Sequence, residues 1–164
     1  MKKIFALFSL LFVLLCSAHA QQGRHALGFG LNYGTQIESM GLGVKYQYNI
    51  TDPIRIEPSF NYFFENDNVS MLDLNVNLHY LFPVGKGVKI YPLFGLTLAN
   101  WMLDIDDVLL GYDVDDNECR FGVNLGGGME FDLGRNWAIN LEGKYQLVSD
   151  FDQGVISLGA VYRF

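Results

Sequence analysis

Gly154-Val-Ile-Ser-Leu-Gly-Ala-Val-Tyr-Arg-Phe164 reads at period two. Ile156, Leu158, Ala160, Tyr162 and Phe164 make one face; Val155, Ser157, Gly159, Val161 and Arg163 make the other. A strand that alternates in this way and finishes on an aromatic suits a membrane interface, where such rings are stable. A soluble domain seldom finishes on a large exposed ring. If this segment closes a barrel in lipid, seven strands of the same kind belong upstream.

The opening residues have to be set aside first. Lys2-Lys3, the apolar run Ile4 to Leu15 and the small-x-small step Ala18-His19-Ala20 before Gln21 have the form of a secretory signal peptide. Twelve apolar residues fall short of the ~20 that a spanning helix needs. Leu15 ahead of Cys16 does not suit a lipoprotein signal. The expected organisation is a cleaved signal peptide over 1–20 and one barrel domain over 21–164. Without Lys2 and Lys3 the chain keeps nine Lys+Arg against eighteen Asp+Glu, which argues against nucleic acid as a partner. Cys119 is the one cysteine left, so no intramolecular disulfide can form. Half of the chain is apolar and 18 residues are glycine, a pairing that calls for a physical reason.

Period two supplies it. Arg24 to Tyr33 alternates Leu27, Phe29, Leu31 and Tyr33 with Ala26, Gly28, Gly30 and Asn32. The second strand is the clearest: Met40, Leu42, Val44, Tyr46, Tyr48 and Ile50 alternate with Gly41, Gly43, Lys45, Gln47 and Asn49. A helix would show a 3.6-residue period instead. After the Thr51-Asp52-Pro53 turn, Ile54 to Phe64 forms a third strand in which Pro58 predicts a local irregularity. A polar loop is expected over Glu65–Ser70. The fourth strand is Leu72 to Phe82 and the fifth Val88 to Leu98, whose second face carries Tyr91 and Leu93. Asn100–Glu118 is the longest expected connection. Arg120 to Phe131, Trp137 to Leu147 and the terminal segment complete eight strands of about ten residues, the length of a tilted span. An even count also suits a single-chain bacterial barrel.

Alternation alone does not say which face is outside, since a soluble lipocalin-like barrel turns its apolar face inward. Three features favour lipid outside. Eight strands leave an interior just wide enough for side chains, and Gly, Ala, Ser and Asn on the polar face suit it. With a periplasmic amino terminus, the lower strand ends carry Tyr48, Tyr80, Phe82, Phe131, Trp137, Tyr162 and Phe164. The upper ends then carry Tyr33, Tyr62, Phe64, Trp101, Phe121 and Tyr145, giving two girdles around a mainly aliphatic belt. Finally, short lower turns and longer upper loops are expected of such a protein. The fold class expected is all-β: an eight-stranded antiparallel up-and-down transmembrane β-barrel.

With its signal peptide, eight amphipathic strands and terminal Tyr162-Arg163-Phe164, the chain resembles the small outer-membrane β-barrel proteins of Gram-negative bacteria, the porin-like group that includes the OmpA transmembrane domain and OmpX. The resemblance covers the whole mature chain and is architectural. It implies location in the bacterial outer membrane with both termini periplasmic, and outer-membrane lipid and lipopolysaccharide as surroundings. It also implies that Tyr162 and Phe164 are read by the barrel-assembly machinery. No periplasmic cell-wall-binding domain is expected after Phe164.

The inward face would carry Lys45, Arg55, Glu57, Asp73, Lys89, Arg120, Glu130, Glu142, Lys144 and Arg163. Charges in a narrow interior must pair or be hydrated, so a polar network filling the lumen is expected; a narrow channel for ions or small solutes is the alternative. The connection between the fifth and sixth strands holds Asp104, Asp106, Asp107, Asp113, Asp115, Asp116 and Glu118. Hard cations favour such oxygens, but the glycine turn and distal glutamate of an EF-hand are lacking, so a solvated loop facing lipopolysaccharide or an unknown partner is expected. Val108, Leu109 and Leu110 inside it could continue a strand or touch that partner. His25 and the inward His79 have no serine at a catalytic spacing, so no catalysis, cofactor or metal is expected; a lipid-modifying barrel enzyme is the remote competitor. Asn68-Val-Ser70 fits the glycosylation pattern but means little in a bacterium. The function expected is structural or interactive: membrane integrity and presentation of surface loops.

Overall fold

The computed structural model describes residues 23–66, 69–103, 116–149 and 152–164. Nine β-segments follow one another: β1 (His25–Gly34), β2 (Ser39–Asn49), β3 (Ile54–Asn66), β4 (Val69–Tyr80), β5 (Phe82–Gly85), β6 (Val88–Leu103), β7 (Asp116–Leu133), β8 (Trp137–Val148) and β9 (Gln153–Arg163). All their pairings are antiparallel. β1 meets β9 with Gly30 opposite Gly159, and β4 meets β6 with Asn75 opposite Thr97, so the sheet closes on itself.

β4 and β5 are two lengths of one stave. Both face β6, and the register carries across the break, His79 opposite Leu93 and Phe82 opposite Ile90, before it shifts between Pro83 and Gly85. The break falls where Tyr80 would meet Pro92, which has no N–H to place in a ladder. Leu81 N donates to Pro53 O at 2.7 Å instead. Eight staves result, the closed antiparallel barrel that the periodicity predicts.

Burial follows the same alternation. Leu74, Leu125 and Leu141 are about half exposed on the outer surface, whereas Lys45 and Lys144 are buried inside. Phe29, Leu42, Phe94, Leu158 and many other large apolar side chains share that outer surface. Full burial of one such side chain is worth about 1.5–3 kcal/mol, and soluble monomers rarely expose contiguous apolar patches beyond a few hundred Å². A surface of this make-up is matched to acyl chains and not to water. At the end where β1 starts and β9 finishes, Trp137 and Tyr162 lie edge to face at 5.1 Å. At the opposite, loop end, Tyr62 and Phe64 do so at 6.0 Å.

The irregularity expected at Pro58 is a lapse in pairing. The β2–β3 ladder skips the residues between Lys45–Ser59 and Tyr48–Ile56, with register unchanged. A true register shift lies higher, between Phe63 and Asn66 on β3–β4.

The connections at the loop end need correction. β3 reaches Asn66 and β4 starts at Val69, so most of the loop expected over Glu65–Ser70 is strand. β6 runs to Leu103 and β7 starts at Asp116, opposite it, which narrows the connection expected over Asn100–Glu118 to 104–115. Polar side chains do not end a ladder whose partner strand continues, because backbone pairing is indifferent to them. Residues 35–38 and 149–152 at this end span no more than 50–53 at the other. The expected difference in length between the two sets of connections therefore rests on 104–115 alone.

Candidate functional site

Side chains converge inside the barrel, where they form successive tiers along the axis. Nearest the termini is a hub on Glu130 of β7. Arg55 of β3 reaches across the lumen and donates from Nη1 to Glu130 Oε2 at 2.7 Å and from Nη2 to Oε1 at 3.1 Å, a bidentate pair. Arg163 Nη2 donates to Oε1 at 2.6 Å and Lys89 Nζ to the same oxygen at 3.2 Å. Both cations also reach Asp132, at 2.6 and 3.2 Å.

The next tier holds Lys45, whose Nζ lies 3.8 Å from Glu57 Oε1 and 3.9 Å from Glu142 Oε2. Gln47 Nε2 donates to Glu57 Oε2 at 2.7 Å and Tyr91 OH to Glu142 Oε2 at 3.1 Å. His79 stacks on the Tyr91 ring with centroids 4.5 Å apart. Above this comes a tier of amides around Asp73: Asn61, Asn75 and Gln146 donate to its carboxylate at 2.6, 2.8 and 3.0 Å. Asn124 joins it through Asn75 at 2.9 Å. At the loop end, Ile37, Phe63, Met71, Ala99 and Val155 form a buried apolar cluster that fills the barrel.

Nine of the ten inward charges named from the sequence are buried there. Lys45, Arg55, Lys89, Lys144 and Arg163 stand against Glu57, Asp73, Glu130 and Glu142, with half-buried Asp132 as the fifth acid, so the described interior is charge-balanced. Arg120 is different. It has the inward parity but sits at the loop end, half-buried, donating from Nη1 to Ser149 O at 2.6 Å. Asp104, Asp106, Asp107, Asp113, Asp115 and the apolar Val108, Leu109 and Leu110 lie outside the described residues, as do Asn68 and the signal segment over 1–20. Asp116 and Glu118 belong to β7, opposite Leu103 and Trp101, and not to a loop.

Tyr162 and Phe164 project from the terminal end. Phe164 stacks on His25, whose Nδ1 is hydrogen-bonded to the Tyr46 hydroxyl. Cys119 is an exposed free thiol.

Two features escape the sequence reading. The apolar plug adds Phe63 and Met71 to the inward face beside Val155, and parity alone could have placed them there, as it placed Tyr91 and Leu93. Contact between Glu57, His79 and Glu142, from three strands, has no signature in sequence spacing. Among the described residues, the cavity bordered by Lys45, Glu57, Asn61, Glu142, Lys144 and Ser157 is about 10 Å³, and another beside Arg24, Gln47, Arg55 and Arg163 is the same size. Each has room for about one water.

A family model described as outer membrane protein beta-barrel domain matches residues 8–164. Among solved structures, the N-terminal β-barrel domain of Pseudomonas aeruginosa OprF is similar, with a TM-score of 0.68 at 16% identity, covering 88% of this chain and 100% of that one. Neisserial surface protein A gives 0.71 at 13% identity, with 89% and 100% covered. The attachment invasion locus protein Ail of Yersinia pestis gives 0.63 at 20% identity, with 88% and 100% covered. At these identities the likeness is one of fold. No curated protein matches the sequence.

Proposed function

The chain belongs to the outer-membrane β-barrel domain family, and from that premise we propose that it is a structural, surface-presenting barrel with a lumen closed to solutes. The observation that carries the proposal is the filled interior. The Glu130 hub, the Asp73 amide tier and the Phe63–Met71 plug block the axis in succession, leaving cavities of about 10 Å³ beside them. A hydrated ion needs a continuous path, and the three layers cross a narrow cylinder whose interior is filled by side chains.

In this reading a signal peptide over 1–20 is removed, both termini are periplasmic and the end bearing 104–115 faces outward. The machinery that inserts barrels reads Tyr162 and Phe164, which project from the last strand. Lipid and lipopolysaccharide surround the wall, and the acidic outer connection meets a partner or solvent. The barrel performs no catalysis. Single-channel recording in planar bilayers tests the closed lumen: purified protein should give no discrete openings, and reproducible unitary conductance would establish the narrow channel in its place.

A further inference from the structure

Among the described residues, several buried amide atoms and both ring nitrogens of His79 lack a hydrogen-bond partner, and His79 alone of these side chains stands in a cluster of metal-ligating groups. Glu57 on β3, His79 on β4 and Glu142 on β8 are all buried, and a ligand atom from each lies within 4.8 Å of the others. His79 is 1% exposed, yet neither ring nitrogen has a hydrogen-bond partner. Most buried polar groups are satisfied, because one left unpaired keeps the full cost of leaving water. The ring is held by its stack on Tyr91, with Nε2 turned toward Glu57 Oε1 at 4.0 Å.

We infer that Glu57, His79 and Glu142 form a binding site for one divalent transition-metal ion of the zinc class within the lumen. One imidazole and two carboxylates are a donor set such ions accept, at about 2.0–2.2 Å per bond. Donors at that distance from one tetrahedral centre are about 3.4 Å apart, so side-chain rotations alone would bring these three together. Outer partners are already in place. Gln47 holds Glu57 Oε2 and Tyr91 holds Glu142 Oε2, the kind of support that orients metal-binding carboxylates.

Lys45 is the group an incoming ion must displace. Its ammonium sits between the two carboxylates at 3.8 and 3.9 Å, outside hydrogen-bonding distance of either. It supplies one positive charge where the metal would supply two, and it contributes no donor to the unpartnered imidazole. Lys45 therefore weakens the site, and its removal should strengthen it. With the plug above and the Glu130 hub below, the ion is expected to enter as the barrel forms.

The test uses the untagged mature chain, stripped with chelator and refolded in detergent with Co²⁺, whose visible spectrum reports its ligands. Heat-dependent gel mobility confirms folding of every sample. The expected result is one Co²⁺ per folded barrel, retained after brief chelator treatment and displaced by Zn²⁺ on refolding. Affinity should fall about tenfold or more in His79→Ala and Glu57→Gln, rise in Lys45→Met and stay unchanged in the surface control His25→Ala. If His79→Ala fails to fold, Glu57→Gln and Lys45→Met carry the comparison. No saturable binding by the native chain would overturn the inference, as would binding indifferent to His79 and Glu57, which would place the ion on the acidic outer residues.

Discussion

Replacing Glu130 with alanine leaves three cations, Arg55, Lys89 and Arg163, around an empty space. Glu130 is fully buried and Arg55 is 1% exposed, so bulk solvent does not reach the lost interaction. Removing one member of a buried ion pair costs about 3–5 kcal/mol, because the remaining charge is uncompensated. Three donors converge on this one carboxylate, which places the expected loss at the upper part of that range. At 1.4 kcal/mol per decade, the folded fraction relative to unfolded falls by about two to four orders of magnitude. With a urea slope of about 2 kcal/mol/M, the midpoint drops by about 2 M.

Urea unfolding of the barrel in lipid vesicles, followed by tryptophan fluorescence and gel mobility, measures it. The double variant Glu130→Ala with Arg55→Ala should lose less than the two single losses added together, because each single change strands its partner. Asp132→Asn is the control: this side chain is 23% exposed and Glu130 remains to hold both cations, so the loss should stay below about 1 kcal/mol. A Glu130→Ala unfolding free energy within about 0.5 kcal/mol of the native value, where ordinary surface changes fall, would refute the hub as a source of stability.

Three further outcomes are expected. A Cβ on Gly126 would lie 2.2 Å from Gly143 O, so Gly126→Ala should cost about 1–3 kcal/mol or more, while Gly143→Ala, with nothing within 4 Å, should be neutral in the same unfolding assay. Phe63→Ala removes the largest ring of the loop-end plug and should cost about 3–5 kcal/mol; bilayer recordings of this variant should still show no openings, since the tiers below are intact. Phe164→Ala should lower the amount of folded, heat-shifting barrel recovered from outer membranes of expressing cells while leaving refolding of purified protein largely unchanged; equal recovery would remove its role as an assembly signal.

Strand two shows how much one line of residues can say. Met40, Leu42 and Val44 against Gly41, Gly43 and Lys45 impose a period of two whatever lies elsewhere, because successive side chains of a strand must point to opposite faces. The break at Leu81 was less legible: Pro92 is visible in the sequence, but only pairing shows that it stands opposite Tyr80. Arg120 has the right parity and still misses the buried network, since parity gives a face and not a height along the axis.

Local alternation, length and composition are enough to specify the eight staves, the face each residue takes and the lipid-matched outer wall. Only the closed barrel decided which inward residues meet. Arg55 and Glu130 are 75 positions apart and His79 lies 63 from Glu142, and neither distance is encoded locally. The relative heights of non-neighbouring strands follow from the cumulative stagger of every hydrogen-bonded pair around the ring. That sum exists only once the ring has closed, and it is what brings the Glu130 hub and the Glu57–His79–Glu142 cluster together.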